Sequence, residues 1–237
     1  FGTQSVIIGL PADATQAERR AMLTAAHDAG LNPVDLIPEP LVAALGAGLA
    51  VREPKATMLA ECGAGTTEVA VLSLGGICQM RALRGGGDEM DQAIIDHLHF
   101  RHKLLVGRRS AERLKRALDT SSSSASGESA VKEVKGRSLT SGLPTSLWIP
   151  SAEIAGVAEK HAQHIVDLVR EVLGATTPEL SDDIHTHGIF LTGGGAALPA
   201  IRAMIEAQTG LGVTLADTPD QCVARGLLQI LRGEQIN

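Results

Sequence analysis

Residues 60–76, AECGAGTTEVAVLSLGG, read as two apolar runs joined by a turn of the smallest side chains. The first run covers residues 57–61, the turn is Gly63, Ala64 and Gly65, and the second run covers 69–74 before a further turn at Gly75-Gly76. Residues with little or no side chain let backbone N–H groups approach a ligand closely. Thr66 and Thr67 add two hydroxyls beside them, and the set suits a phosphate group. Taken alone, the stretch is equally an ordinary β-hairpin with a Gly-rich turn.

Two later stretches bear on that choice. The run 78–83 leads into Gly85-Gly86-Gly87, after which Asp88 and Glu89 open a helix reaching about His102. Residues 188–192 run into Gly193-Gly194-Gly195-Ala196, and Leu198-Pro199 then opens a helix to Thr209. A strand that ends in glycines ahead of a helix N-terminus is an arrangement for cradling a nucleotide. Neither a G-x-x-x-x-G-K-[ST] loop nor a G-x-G-x-x-G fingerprint with a ribose-binding acid occurs, which disfavours P-loop and NAD-type Rossmann enzymes.

Upstream of the hairpin, an apolar strand at 5–10 is followed by a helix that Asp13 or Thr15 can cap, Glu18 completing a capping box with Thr15, and that ends at Gly30. A short strand at 34–37 leads through Pro38-Glu39-Pro40 into a helix at 41–48, so rich in Ala and Gly that it must pack closely against a neighbour. This alternation is α/β patterning. The two prolines stiffen the backbone around Glu39 and aim its carboxylate, which otherwise reads as a helix N-terminal acid complementing the macrodipole. Downstream, a helix starting at Ser110 places Glu112 and Lys115 on one face. Residues 120–129 read as a polar low-complexity loop, and 131–134 and 147–149 as short edge strands. The longest helix, 151–173, carries His161 and His164 one turn apart, but no cysteine or third histidine accompanies them as a zinc set would need. A strand at 212–216 and a helix at 220–231 close the chain.

A net charge of −6 argues against nucleic acid as a partner, and one Trp, three Phe and no Tyr leave little for base stacking. Cys62, Cys78 and Cys222 are too dispersed for a disulfide framework or a zinc site, which points to a reducing cytoplasmic compartment. No apolar run approaches the roughly 20 residues of a membrane span. The chain opens on Phe1-Gly2-Thr3-Gln4 with neither an initiating Met nor a signal peptide and enters a core strand at once. Such a chain is expected to continue a longer one.

The sequence resembles the MreB/Mbl family of bacterial actin homologues, within the superfamily that also holds sugar kinases and heat-shock chaperones. The resemblance is carried collinearly by LIPEPLVAALGAGL (36–49), GAGTTEVAVLSLGGI (63–77), GGDEMDQAI (86–94), SAERLK (110–115), LTSGLP (139–144) and GIFLTGGGAAL (188–198). It implies an α/β, actin-like ATPase fold of two ribonuclease-H-like lobes. Residues 1–50 with the helix in 217–237 are expected to be the remainder of the first lobe. Residues 54–91 and 150–216 would form the core of the second, and 92–149 its small outer subdomain.

The implied site binds ATP with Mg2+. Gly63, Ala64, Gly65, Thr66 and Thr67 would form the second phosphate loop. Glu39 would orient the attacking water, with Glu89 in a turn facing the nucleotide. Glu112, Arg113, Leu114 and Lys115 would lie beside ribose and base, and Gly193, Gly194, Gly195 and Ala196 would form the adenosine loop. The implied function is a cytoplasmic filament at the inner face of the membrane, partnered by copies of itself and by the cell-wall elongation machinery, that determines cell shape.

Two departures from the family pattern stand out. The family's Asp-x-Gly-Gly-Gly-Thr is here Glu61-Cys62-Gly63-Ala64-Gly65-Thr66. Glu61 would then be the acid that reaches magnesium through water, and Ala64 is expected to be strained if its backbone needs positive φ. The family's first phosphate loop, Asp-x-Gly-Thr, has no counterpart. A truncated or degenerate nucleotide-binding paralogue that neither polymerises nor hydrolyses efficiently is the alternative.

Overall fold

The computed structural model describes residues 6–121 and 131–233. Strand β1 (Val6–Leu10) is followed by α1 (Gln16–Asp28), β2 (Val34–Pro38) and α2 (Glu39–Gly46), with β1 and β2 paired in parallel. Then come β3 (Thr57–Cys62), β4 (Thr67–Ser73), β5 (Gly76–Leu83) and α3 (Gly87–His102). A smaller unit follows, made of β6 (Leu104–Leu105), α4 (Arg108–Ser121), β7 (Val131–Ser138) and β8 (Pro144–Pro150). The chain closes with α5 (Ser151–Ala175), α6 (Pro178–His187), β9 (Ile189–Thr192), α7 (Pro199–Thr209), β10 (Val213–Leu215) and α8 (Cys222–Leu231).

The central sheet has the order β10-β9-β3-β4-β5, with β3-β4-β5 an antiparallel meander and β9 and β10 parallel to β3. Alternate residues of β3 and β4 enter two different cores. Met58, Ala60, Val69 and Val71 pack with Met90 and Ile94 of α3, Ile165 and Val169 of α5 and Ile201 and Ile205 of α7. Leu59, Ala70 and Leu72 point the other way, to Leu41, Ala43 and Ala44 of α2 and Cys222 of α8. Burial on both faces is why these strands read as continuous apolar runs instead of alternating ones.

The close neighbour demanded by the Ala/Gly-rich helix is α8. A methyl group built on Gly46 would lie 1.8 Å from the Cys222 carbonyl oxygen, and one on Gly226 would lie 2.0 Å from that of Val42. Two helix backbones therefore touch directly, each glycine admitting the carbonyl of the other helix.

Several boundaries differ from the sequence expectation. Helix α2 begins at Glu39 itself and α3 at Gly87, because the first turn of a helix has no intrahelical acceptors for its N–H groups, so Pro40, which has no N–H, and Gly87 fit there. The edge strands are longer than expected: β7 and β8 form one hairpin through Gly136, whose missing side chain admits the Leu105 carbonyl oxygen. Strand β6 and helix α6 were not foreseen, the first being only two residues long and the second lying where the polar residues 178–187 show a single buried side chain, Ile184. Thr120 and Ser121 belong to α4, and the rest of the low-complexity stretch, like Ser5, lies outside the described residues.

Separating α2 from α8 should be costly. Gly226→Leu is expected to lower stability by about 2 kcal/mol or more, as overpacking does. Gly156→Ala, in the second turn of α5 with nothing near the added methyl, should raise it by about 0.5–1 kcal/mol. Urea midpoints of the two variants against the parent check both.

Candidate functional site

The three Gly-rich turns meet at the C-terminal ends of β3 and β9. The amides of Gly87 and Asp88, at the start of α3, donate to the carbonyls of Gly63 and Ala64 at 3.0 and 2.9 Å. A methyl on Gly86 would lie 2.4 Å from the Gly63 carbonyl oxygen, and Gly193, at φ +84°, sits against the Cys62 backbone with its amide donating to Pro219. The turns are thus locked to one another, and only glycine lets them approach so closely. Around them opens a cavity of about 750 Å³.

Of the residues expected at the site, Glu61, Gly63, Ala64, Glu112, Lys115, Gly193, Gly194 and Gly195 line this cavity. The others do not. The Thr67 hydroxyl is buried and donates to the Gly85 carbonyl at 3.1 Å, while Thr66 lines a neighbouring groove beside α1. The two hydroxyls therefore do not converge. Gly65 is exposed at the tip of the hairpin. Glu89 turns its carboxylate back over Gly85, Arg113 donates to Ser110 Oγ at 3.2 Å, and Leu114 is buried in the main core. Ala196 is likewise buried, and Ala197 and Leu198 take its place on the wall. The strain expected at Ala64 does not arise: Leu74, Lys103 and Thr218 are the positive-φ non-glycine positions among the described residues.

The sequence reading missed a basic wall. Arg108, Arg109 and Arg116 of α4 line the cavity with Lys115, facing Asp88 and Asp91 of α3 and Asp220. Arg108 and Arg109 stood in plain view as a charge pair opening a helix. Lys115 is tied down: Nζ lies 2.8 Å from Asp91 Oδ1, a charge contact rather than an aligned hydrogen bond, and donates to the Gly87 carbonyl at 2.8 Å. This pair joins α4 to α3 at the mouth of the cavity.

At the base of the site three carboxylates crowd together. Glu61 and Glu68 stand directly opposite each other across β3 and β4, both buried, and Glu39 joins them from the start of α2. One oxygen from each lies within 4.8 Å of the other two. Ala12 N–H donates to Glu68 Oε1 at 2.7 Å, whereas Glu61 Oε2, Glu68 Oε2 and the nearby strand-end Thr192 Oγ1 are buried without a partner. Like charges facing each other in a sheet repel, and burial compounds the effect. Burial, with the charges of Glu39 and Glu68, pushes the Glu61 carboxyl up to about 8. Burial also raises Glu68 to about 7, assisted by Glu39 and Asp13 against the Ala12 hydrogen bond, and raises Glu39. Such a cluster holds protons or a cation. By contrast His161 and His164, 6.5 Å apart between ring centroids, gather no third ligand among the described residues.

A three-layer core, a smaller appended unit and a cleft between Gly-rich turns define an actin-like ATPase fold. The MreB/Mbl protein family model matches residues 1–236, and the chain belongs to that family. It is 41% identical over 221 residues to the cell shape-determining protein MreB of Escherichia coli strain K12, covering 93% of this chain and 63% of that one. To the cell shape-determining protein Mbl of Bacillus subtilis strain 168 it is 34% identical over 226 residues, covering 95% and 67%. The chain thus spans about two thirds of the length of these relatives. The crystal structure of MreB5 of Spiroplasma citri bound to ADP superposes with a TM-score of 0.88 at 30% identity, over 97% of this chain and 70% of that one. The AMPPNP-bound form gives 0.89 at 30% identity, over 98% and 68%. No helix among the described residues is long and apolar enough to cross a membrane.

The raised carboxyls fix a pH dependence. A carboxyl that titrates higher folded than unfolded binds its proton more tightly in the folded state, so its contribution is complete below the unfolded value and is lost as pH rises through the folded one. The ligand-free protein should therefore lose stability between about pH 5 and 8. Glu61→Gln should flatten that slope and raise the melting temperature at pH 8. Thermal melts of both proteins across this range provide the check.

Proposed function

We propose that this chain binds ATP in the cleft between the Gly63–Gly65 turn, the Gly193–Gly195 turn and α4, and that it serves an MreB-type filament that determines cell shape. The observation that carries this reading is the interlocked set of glycine turns, with a basic wall on one side and a carboxylate cluster at its base. The nucleotides held by the MreB5 relative and the cell-shape names of MreB and Mbl support it. Ala64, exposed on the cavity wall, would offer its backbone to phosphate oxygens, and Arg108, Arg109 and Arg116 supply positive charge along the cavity. Glu112 and Lys115, which line the same cavity as Gly193 to Gly195, would lie beside the sugar and base.

The carboxylate cluster fits a hard divalent cation, because it offers oxygens alone and two of them are buried without a partner. Glu61 and Glu68 would hold magnesium, directly or through water. The bound ion supplies charge neutralisation to the phosphates. Glu39, stiffened between two prolines and half-buried, orients the attacking water and accepts its proton at a carboxylate oxygen. Association with the inner face of the membrane and guidance of cell-wall synthesis are the cellular part of this reading. In it, 1–50 and the C-terminal helix belong to one lobe and the remainder to the other.

A second reading, nucleotide binding with little turnover, is favoured by Glu61 itself. A glutamate in place of the family's aspartate holds its proton more tightly than an ordinary carboxyl in the ligand-free cluster, so a cation has to displace that proton to bind.

Titration calorimetry of ATP with Mg2+ on the purified chain, followed by phosphate release and ultracentrifugal pelleting, separates the readings. Binding with turnover and a pellet in ATP supports the first reading, and binding alone supports the second. No ATP binding at any pH from 6 to 9 overturns both. Glu39→Gln should leave ATP affinity within about threefold and reduce phosphate release by about 100-fold, the usual contribution of a positioned general base.

A further inference from the structure

Away from the cleft, His97 and His102 on the C-terminal half of α3 converge on Glu153 in the first turn of α5. Both Nε2 atoms approach the same carboxylate oxygen, Oε1, at 2.6 and 2.5 Å. All three side chains are partly sheltered yet reachable by solvent, at 25%, 24% and 16% exposure. We propose that His97, His102 and Glu153 form a binding site for a zinc-class divalent transition-metal ion.

The donor set is the argument. Two imidazoles and one carboxylate make a three-ligand set for zinc that leaves a further position for water. Their ligand atoms already lie within 4.8 Å of one another. Bonds of about 2.0–2.1 Å in a tetrahedral shell separate ligand atoms by about 3.4 Å, so each imidazole nitrogen has to draw back from the carboxylate oxygen by less than about 1 Å. That is a small rotamer adjustment for half-open side chains. Among the described residues the competing cation is Arg101, whose Nε lies 3.4 Å from Glu153 Oε1 but whose side chain is 67% exposed and reaches water. The carboxylate cluster in the cleft differs in kind, since it offers only hard oxygens and suits magnesium rather than zinc.

The position gives the site a consequence. The chain enters the small unit of β6, α4, β7 and β8 directly after His102 and leaves it at Pro150, directly before Ser151. An ion shared by His97, His102 and Glu153 clamps the two chain crossings of this neck together. The basic wall of the cleft rides on α4, inside the unit so clamped.

The test uses the tag-free chain stripped with chelator. Titration with Zn2+ should give a single equivalent of binding, accompanied by a rise in melting temperature, and Co2+ should develop the visible absorption of a low-coordinate site. His97→Gln with His102→Gln, and separately Glu153→Gln, should weaken Zn2+ binding by about 100-fold or more, because loss of a direct ligand costs at least as much as loss of a group that merely supports one. His161→Gln with His164→Gln should leave it unchanged. Absence of stoichiometric Zn2+ binding to the parent overturns the proposal. So does binding that survives in the His97/His102 and Glu153 variants, whose cooperative melting shows that they are folded.

Discussion

The structure depends on one constraint: β3 and β4 are apolar on both faces, so both faces must be covered. Leu59, Ala70 and Leu72 cannot share a core with Met58, Val69 and Val71, because successive side chains of a strand point in opposite directions. One face takes α3, α5 and α7 and the other takes α2 and α8. The β3–β4 turn and the connections that leave β5, β9 and β10 for α3, α7 and α8 all lie at one end of the sheet. That is where the glycine turns, the basic wall and the carboxylate cluster are forced together, in the crevice where α/β sheets hold ligands.

The carboxylate cluster shows what this geometry does to chemistry. Glu61 and Glu68 are cross-strand partners in a buried register, an arrangement that lowers stability in an ordinary sheet. The fold carries that electrostatic burden where a cation or a proton relieves it. Destabilising polar arrangements of this kind collect at functional sites.

Much of this was legible in the sequence. The strand–helix alternation, the glycine turns and the Ala/Gly-rich helix seeking a close neighbour follow from residue type and spacing alone. Glu61, Gly63, Lys115 and Gly193 reach the cavity as their motifs suggested. Other features were hidden for physical reasons. Thr66 and Thr67 are adjacent in sequence, but Thr66 belongs to the turn beside α1 while Thr67 opens β4 with its hydroxyl on the Gly85 carbonyl, so a motif reading of paired hydroxyls fails. Leu114 sits inside a motif yet on the buried face of its helix. The two histidines worth attention were not the pair one turn apart on α5 but His97 and His102, which only the packing of α3 on α5 brings to Glu153. Helix α6 escaped notice because its one deeply buried side chain, Ile184, gives no periodic signal.

The bare backbone contact between α2 and α8 bears on how the chain is made. The two helices come from opposite ends of the described sequence, yet together they roof one face of the central sheet. A ribosome delivers Leu59, Ala70 and Leu72 long before residues 222–231 emerge, and until then that face is only half roofed by α2. A nascent chain in this state presents an apolar sheet surface to its surroundings, the kind of surface on which chaperones act and aggregates begin. The glycine at position 226 is thus the point at which synthesis ends that exposure, closing the fold with a helix that fits only because it has no side chain there.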